Sequence, residues 1–363
     1  MATPSATRAF REDHEERFGE SYFRTLEDRH LSSIGLGTYL GDPTDEVDRS
    51  YEEAISTAVE AGCNVLDTAI NYRHQRSERV IGRVFEQTAL DRGEIFVATK
   101  GGFVPLDGRR PADPATYVKE TYVDSGIADP EEFVAGSHCI APDYIEDQLE
   151  RSLSNLGTEI DCYYVHNPET QLRDRSREAV YDLLEETFVR LERRVAAGDI
   201  GVYGVATWDA FRVPASHASF LSLPEVLERA RVASDRVGTD RTGLRAVQLP
   251  FNAVMAEAFT VDPSETPEGT TSVLEFAADA GISVFTSASI AQGELTAGVP
   301  KAVAERVPGE TPTQKAINFA RSAPGVTTSL VGMSSSKHVD ENLTAGEFVS
   351  LENETFAAVV GPS

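Results

Sequence analysis

The sequence predicts a single-domain α/β protein, a (β/α)8 TIM barrel with a long loop after its third strand. Three observations carry this. Short, continuously apolar runs alternate with helical patterns eight times, as parallel strands joined by crossover helices do. Eight units favour a closed barrel over an open doubly wound sheet, and a length of 363 residues fits a one-domain barrel. The open sheet would also place GxGxxG after its first strand. Here Gly35-Leu36-Gly37 runs into Thr38-Tyr39-Leu40-Gly41.

The elements follow in order. Residues 1–30 are charged throughout and read as a polar N-terminal arm. Leu31–Gly37 is the first strand. Asp48–Ala61 has helical apolar spacing and stops at Gly62; Asn64–Asp67 is a short second strand. Ser77–Leu90 is helical and Glu94–Lys100 is the third strand. Residues 101–142 are rich in Gly, Pro and Asp and too long for a plain βα connection, so they read as a substrate-side loop. Tyr144–Leu156 is a helix ending at Gly157, and Asp161–His166 is the fourth strand. Arg177–Ala197 is a long helix ending at Gly198, followed by strand Gly201–Thr207 and helix Leu223–Ala233. Then come strand Leu244–Pro250, helix Thr271–Ala280, strand Ile282–Ser287, helix Thr313–Ser322, strand Val326–Met333 and helix Lys337–Leu343. The barrel domain spans 31–345, and 346–363 is a C-terminal tail.

Composition narrows the function. The chain has 33 Lys and Arg against 59 Asp and Glu, a net charge of −26. Such a surface repels nucleic acid and anionic membranes, so neither is an expected partner. No apolar stretch reaches 18 residues and no secretory h-region stands at the N-terminus, so a cytoplasmic protein is expected. Cys63, Cys139 and Cys162 form no disulfide or zinc framework. The acid is dispersed, and only five residues are Lys (100, 119, 301, 315, 337), leaving 28 Arg. That balance reads as halophilic, because molar salt screens the self-repulsion of a highly charged chain.

The polar residues just past the strands converge on one face of a barrel. They include Asp67, Tyr72, Lys100 and His166, with no set of metal ligands and no GxSxG elbow. A lysine ammonium beside a tyrosine favours the phenolate, an aspartate fixes the lysine, and a neutral histidine can donate to a substrate oxygen. This set moves a proton beside a carbonyl or carbinol carbon. It supplies no electrons, so an organic hydride carrier would be needed.

Several motifs sharpen that reading. Leu66-Asp67-Thr68-Ala69-Ile70-Asn71-Tyr72 is followed by Ser77-Glu78 and Ile81-Gly82. Val97-Ala98-Thr99-Lys100 comes next, then Tyr163-Tyr164-Val165-His166-Asn167-Pro168. Tyr203-Gly204-Val205, Val247-Gln248 and Glu341-Asn342-Leu343 complete the order. Together they resemble the aldo-keto reductases from about Leu31 to Leu343. The resemblance implies a (β/α)8 barrel that binds NADP or NAD and acts on a small carbonyl or alcohol. It implies Tyr72 as general acid/base, Lys100 as its partner, Asp67 holding Lys100 near the nicotinamide ribose, and His166 orienting the substrate. By the same resemblance Gly37, Thr38 and Tyr39 lie beside the nicotinamide half, and Gln248 meets its carboxamide. Thr207, Ser287 and Ser289 join the cofactor site, while Met333, Ser334, His338, Glu341 and Asn342 hold the adenosine end.

The departures are specific. Ala206-Thr207 replace the family's Ser-Asn. Ser287-Ala288-Ser289-Ile290 lack its stacking Tyr, for which Trp208 is the candidate substitute. Gly332 and His338 stand where NADP-preferring members carry Lys and Arg. Within 101–142, Arg109, Arg110, Tyr117 and Tyr122 point to a polar, sugar-like ligand. His138-Cys139 read as local packing. Two other functions compete: a barrel lyase or aldolase using Lys100 as a Schiff-base nucleophile, and a catalytically silent, cofactor-bound regulatory subunit. The intact tetrad and the lack of any assembly segment favour the oxidoreductase.

Overall fold

The computed structural model describes residues 1–266 and 269–361. A helix, Pro4–His14, opens the chain, followed by an antiparallel hairpin of β1 (Phe23–Leu26) and β2 (Arg29–Ser32). Six strands then enter the barrel in sequence: β3 (Ile34–Gly37), β4 (Val65–Asp67), β5 (Phe96–Gly101), β6 (Ile160–His166), β7 (Ile200–Ala206) and β8 (Leu244–Pro250). A small hairpin, β9 (Ser264–Thr266) and β10 (Gly269–Thr271), stands apart. The last barrel strands are β11 (Ser283–Ser287) and β12 (Val326–Gly332), and β12 pairs with β3 to close the ring. All eight barrel strands are parallel.

Two terminal segments differ from the sequence expectation. The run Leu31–Gly37 is divided between β2 and β3. Ser32 is tied to Asn64 in both directions, with its N–H on Asn64 Oδ1 at 2.8 Å and its Oγ accepting the Asn64 N–H at 3.1 Å, and the chain turns there. Residues 1–30 are more than a polar arm. Ala2 and Leu26, together with Leu31 of β2, pack with Val65, Phe96 and Ala98 to plug the bottom of the lumen. Likewise the C-terminal residues fold a helix, Asn353–Val360. Its Phe356 ring lies 5.0 Å from Phe319 and 5.2 Å from Phe259.

Above the plug the lumen is filled by rings. Phe96 and Phe285 stack at 5.8 Å, and Tyr164 meets Phe285 edge-on at 6.3 Å. Gly204 makes this possible, since a Cβ there would lie 2.8 Å from the Tyr164 ring and 2.1 Å from the Ala246 carbonyl. The lumen is therefore a packed core, and a cavity opens at the carboxyl ends of the strands. Among the described residues no helix is long and apolar enough to cross a membrane.

Candidate active site

The floor of the site is set by the ends of β4 and β5. Lys100 is fully buried, and its Nζ donates to Asp67 Oδ1 at 2.9 Å, Asp67 Oδ2 at 2.7 Å and the Thr68 carbonyl at 2.8 Å. Gln248 Nε2 adds a fourth donation at this floor, to Asp67 Oδ1 at 2.8 Å. Burial alone would push the ammonium's pKa down. The Asp67 carboxylate and the Tyr72 hydroxyl outweigh it and leave the pKa raised, so Lys100 stays charged.

Beyond Asp67 the chain keeps pairing along β5, with Thr68 N–H on the Ala98 carbonyl at 2.9 Å and Ile70 N–H on that of Lys100 at 3.1 Å. The turn that follows sets the Tyr72 ring over Lys100, with Nζ 4.9 Å from the ring centroid. Next come three residues in the left-handed region, Arg73 (φ 48°), His74 (φ 59°) and Gln75 (φ 70°), a costly run for non-glycine residues. Tertiary bonds hold it. The buried Arg73 guanidinium grips Asp48 and the carbonyls of Asp42 and Thr44, and Gln75 Nε2 donates to the Leu106 carbonyl at 3.1 Å. Burial raises the Tyr72 pKa, Lys100 pulls it down and Asp67 pushes it up, and the net direction is upward. Lys100 thus favours the phenolate as expected, but the desolvation of the buried ring outweighs it.

His166 ends β6. Asn167 follows at φ 48°, a conformation Asn tolerates, and Pro168 starts the 3-10 turn Pro168–Arg173. Burial first, then the charges of Lys100 and His138, hold the His166 pKa well below its ordinary value, so the imidazole is neutral. Its Nδ1 is buried without a hydrogen-bond partner among the described residues, and Phe103 meets the ring edge-on at 5.0 Å. His138 braces the strand end from below. Its Nε2 lies 2.7 Å from the His166 carbonyl and its Nδ1 2.8 Å from Gln171 Nε2, a network that assigns the proton to Nε2. Burial pushes His138 down to about 4, so this brace is uncharged at neutral pH. Gly102, at φ 147°, lets the chain pass beneath, where a Cβ would meet the His166 carbonyl at 2.7 Å.

Above the floor lies a cavity of about 870 Å³. Tyr72, Phe103 and His166 line it, and so do Ser334, His338, Glu341 and Asn342 from the segment after β12. Gly37, Tyr39, Asp67 and Gln248 also line it, as do Thr207, Ser287 and Ser289. Two expected contacts are corrected. Thr38 Oγ1 donates to the Asp67 carbonyl at 3.1 Å, and Met333 is buried in the layer between barrel and helices. Side chains alternate along an extended chain, so the neighbours of Met333 face the cavity while it faces away. Nor do Arg109, Arg110, Tyr117 or Tyr122 reach the cavity. Tyr122 is buried 5.1 Å from Tyr144, Tyr117 donates to the Pro105 carbonyl at 3.1 Å, and both arginines are exposed. Of the long loop's aromatic rings Phe103 lines the cavity, while Tyr117 and Tyr122 pack within the loop and against Tyr144.

Sequence reasoning missed Asn71 and Phe103 as lining residues, whereas Asn167, expected at the strand end beside His166, does line the cavity. In the segment after β11 that reasoning named Ser287 to Ile290 but not Gln292 and Gly293, nor the backbone there, where Ala288, Ala291 and Gln292 all have φ near 50°. Glu169 escaped notice too. Its Oε1 accepts the Trp208 N–H at 2.7 Å and the Asp209 N–H at 3.1 Å. Burial, countered by those bonds and reinforced by Asp209, raises its pKa to about 7.

This barrel with its Asp, Tyr, Lys and His at consecutive strand ends matches the Aldo/keto reductase family model over residues 33–302 and 296–361. The chain belongs to that family. It is 32% identical over 134 residues to an aldo-keto reductase of Schizosaccharomyces pombe named with NADP(+), covering 37% of this chain and 31% of that one. It is 22% identical over 333 residues to a putative voltage-gated potassium channel subunit beta of the same organism, covering 88% and 86%. An NADH-specific methylglyoxal reductase of Escherichia coli is 27% identical over 186 residues, 50% of this chain and 49% of that one. Among solved structures, the holo form of a Bacillus halodurans aldo-keto reductase aligns with a TM-score of 0.62 at 21% identity, covering 94% and 97%. A Klebsiella pneumoniae aldo-keto reductase in complex with NADPH aligns with a TM-score of 0.61 at 18% identity, covering 93% and 92%. These structural likenesses show the fold.

Proposed function

We propose that the protein is an NAD(P)-dependent oxidoreductase acting on a small carbonyl or alcohol, with Tyr72 as general acid/base. The observation that carries this is the buried Lys100 ammonium, clamped by Asp67 directly beneath the Tyr72 ring. A nicotinamide cofactor, when bound, gives or takes the hydride. The cavity fits one: it has about 870 Å³ of space, and the buried Thr207 Oγ1 on its wall has no hydrogen-bond partner among the described residues and can meet an amide. Gly37, Tyr39, Thr207, Gln248, Ser287 and Ser289 would hold the nicotinamide half; Ser334, His338, Glu341 and Asn342 would hold the adenosine half. No Lys or Arg lines the cavity among the described residues, which favours NAD(H) over a cofactor bearing a 2′-phosphate.

In reduction Tyr72 Oη delivers the proton to the substrate oxygen, and the Lys100 charge stabilises the phenolate left behind. His166, neutral, donates to the same oxygen and orients the carbonyl. In oxidation Tyr72 takes the proton back. The Schiff-base reading of Lys100 fares worse, because that amine is charged, triply bonded and sealed from the cavity. The regulatory-subunit reading draws support from the channel-subunit relative that covers most of the chain. The dispersed acid and the three buried, unpaired cysteines support a cytoplasmic protein suited to high salt.

Fluorescence titration with NADH and NADPH in molar KCl tests the site, since Trp208 lines the cavity and is the chain's single tryptophan. Saturable micromolar binding followed by nucleotide-dependent turnover of a carbonyl panel is expected. Failure of a folded sample to bind either nucleotide overturns the reading. Binding without turnover, unchanged in Tyr72→Phe, would select the regulatory subunit.

A further inference from the structure

We infer that Glu169 is a positioning residue for the substrate wall: from the turn that carries His166 it holds the loop that carries Trp208, and so sets how well substrate binds. The substrate part of this inference rests on the proposed oxidoreductase reading; the positioning of Trp208 does not.

Trp208 lines the cavity yet is 39% exposed, among the most exposed large apolar residues of the chain. No ring contact to it exists among the described residues. A ring so placed is not fixed by packing, so its main chain must fix it. Two side chains do so from opposite sides. Glu169 Oε1 accepts the N–H groups of Trp208 and Asp209, at 2.7 and 3.1 Å. Arg212 Nε donates to the Trp208 carbonyl at 2.8 Å, while its other nitrogens hold Asp209 at 2.9 Å and Glu257 at 3.1 Å. Arg212 grips Trp208 from within the same loop and reaches the segment after β8 through Glu257, whereas Glu169 ties the Trp208 N–H directly to the β6 turn, three residues past His166.

The carboxylate is also an expensive way to make this tie. Glu169 is 8% exposed, and its second oxygen is buried with no hydrogen-bond partner among the described residues. Buried polar atoms without partners are uncommon and call for an explanation. A single oxygen with two lone pairs can accept two successive N–H groups, and the side chain of Glu169 reaches both. The desolvated oxygen is then the cost of a firm register between the His166 turn and the Trp208 loop. The two walls between which a carbonyl compound would sit are thereby held in one arrangement.

The test uses the full-length protein, with Trp208 emission and acrylamide quenching read in Glu169→Ala, Glu169→Asp and Glu169→Gln. Glu169→Ala is expected to shift the emission to the red and raise quenching. It should raise KM for the carbonyl substrate about tenfold, the equivalent of roughly 1.4 kcal/mol, while kcat stays within about twofold. Glu169→Asp, one methylene shorter, should move the emission part of the way. Glu169→Gln keeps an acceptor oxygen and should restore most of both readouts. Wild-type emission and quenching in Glu169→Ala overturn the inference, as does a changed kcat at unmoved KM. Should Glu169→Ala not fold, wild-type emission in Glu169→Asp overturns it equally. If no nucleotide-dependent turnover exists, the oxidoreductase reading fails by itself, and the emission series still decides whether Glu169 holds Trp208.

Discussion

At the Tyr72 hydroxyl, burial holds the proton on while the Lys100 ammonium draws it off, and burial prevails. Reduction should therefore persist to alkaline pH without loss of the acid, and oxidation should accelerate as pH approaches and passes the ordinary phenol value of 10.0. A pH–rate profile in both directions checks this. Tyr72→Phe should lower kcat by about 10³-fold with nucleotide affinity retained. Lys100→Met strands the buried Asp67 carboxylate and should cost about 3–5 kcal/mol in denaturant unfolding, with most of it recovered in Lys100→Met/Asp67→Asn. Glu169 has a native pKa of about 7 against an ordinary 4.5, so the folded state binds the proton more tightly. Its contribution to stability is complete below pH 4.5 and lost as pH rises to about 7. The melting temperature of Glu169→Gln relative to wild type should accordingly climb across that window. The four residues of the tetrad were legible because each closes a strand or follows one at a fixed interval. Glu169, His138 and Gln171 were not, because their contacts join segments that the sequence holds far apart.

The β6 turn shows what element order conceals. Within six residues it presents His166 to the cavity, Glu169 to the β7 loop and Gln171 to the long loop after β5. Strand and helix periodicity located all eight barrel strands, since buried parallel strands are continuous apolar runs. It failed at the ends of the chain. The plug of residues 1–30 carries too few apolar side chains to announce itself, and the β2–β3 break depends on Asn64, 32 residues beyond Ser32. The C-terminal helix contributes one large ring, Phe356, to a cluster with Phe251, Phe259 and Phe319. Phe356→Ala should cost about 3–5 kcal/mol, measured by chemical denaturation, although no residue of that helix lines the cavity.

Across the whole molecule the arginines act as hubs. Arg229 contacts Glu178 at 2.5 Å, Asp182 at 2.7 Å, Glu185 at 3.2 Å and Glu225 at 2.7 Å. Arg194 gathers Glu146, Glu150 and Asp199. One guanidinium cannot neutralise three or four carboxylates, so these clusters stay negative. Individual exposed pairs add little stability, and the residual repulsion is what salt relieves. Raising KCl from 0.1 to 2 M should increase the melting temperature by several degrees, read by calorimetry. A flat or falling response would identify an acidic protein with no special relation to salt. Composition made the charge legible, whereas the grouping of acids around single arginines needed the packing of neighbouring helices.

The sealing of Lys100 also governs what the protein does not do to its own ligands. Aldehydes and ketones condense with amines that carry a free lone pair. Lys100 has none to offer, with its charge retained and its nitrogen triply bonded beneath the floor. No other lysine lines the cavity among the described residues. A carbonyl compound bound there, as we propose, would find hydroxyls, amides, carboxylates, imidazoles and rings among the lining residues but no lysine amine with which to form a Schiff base.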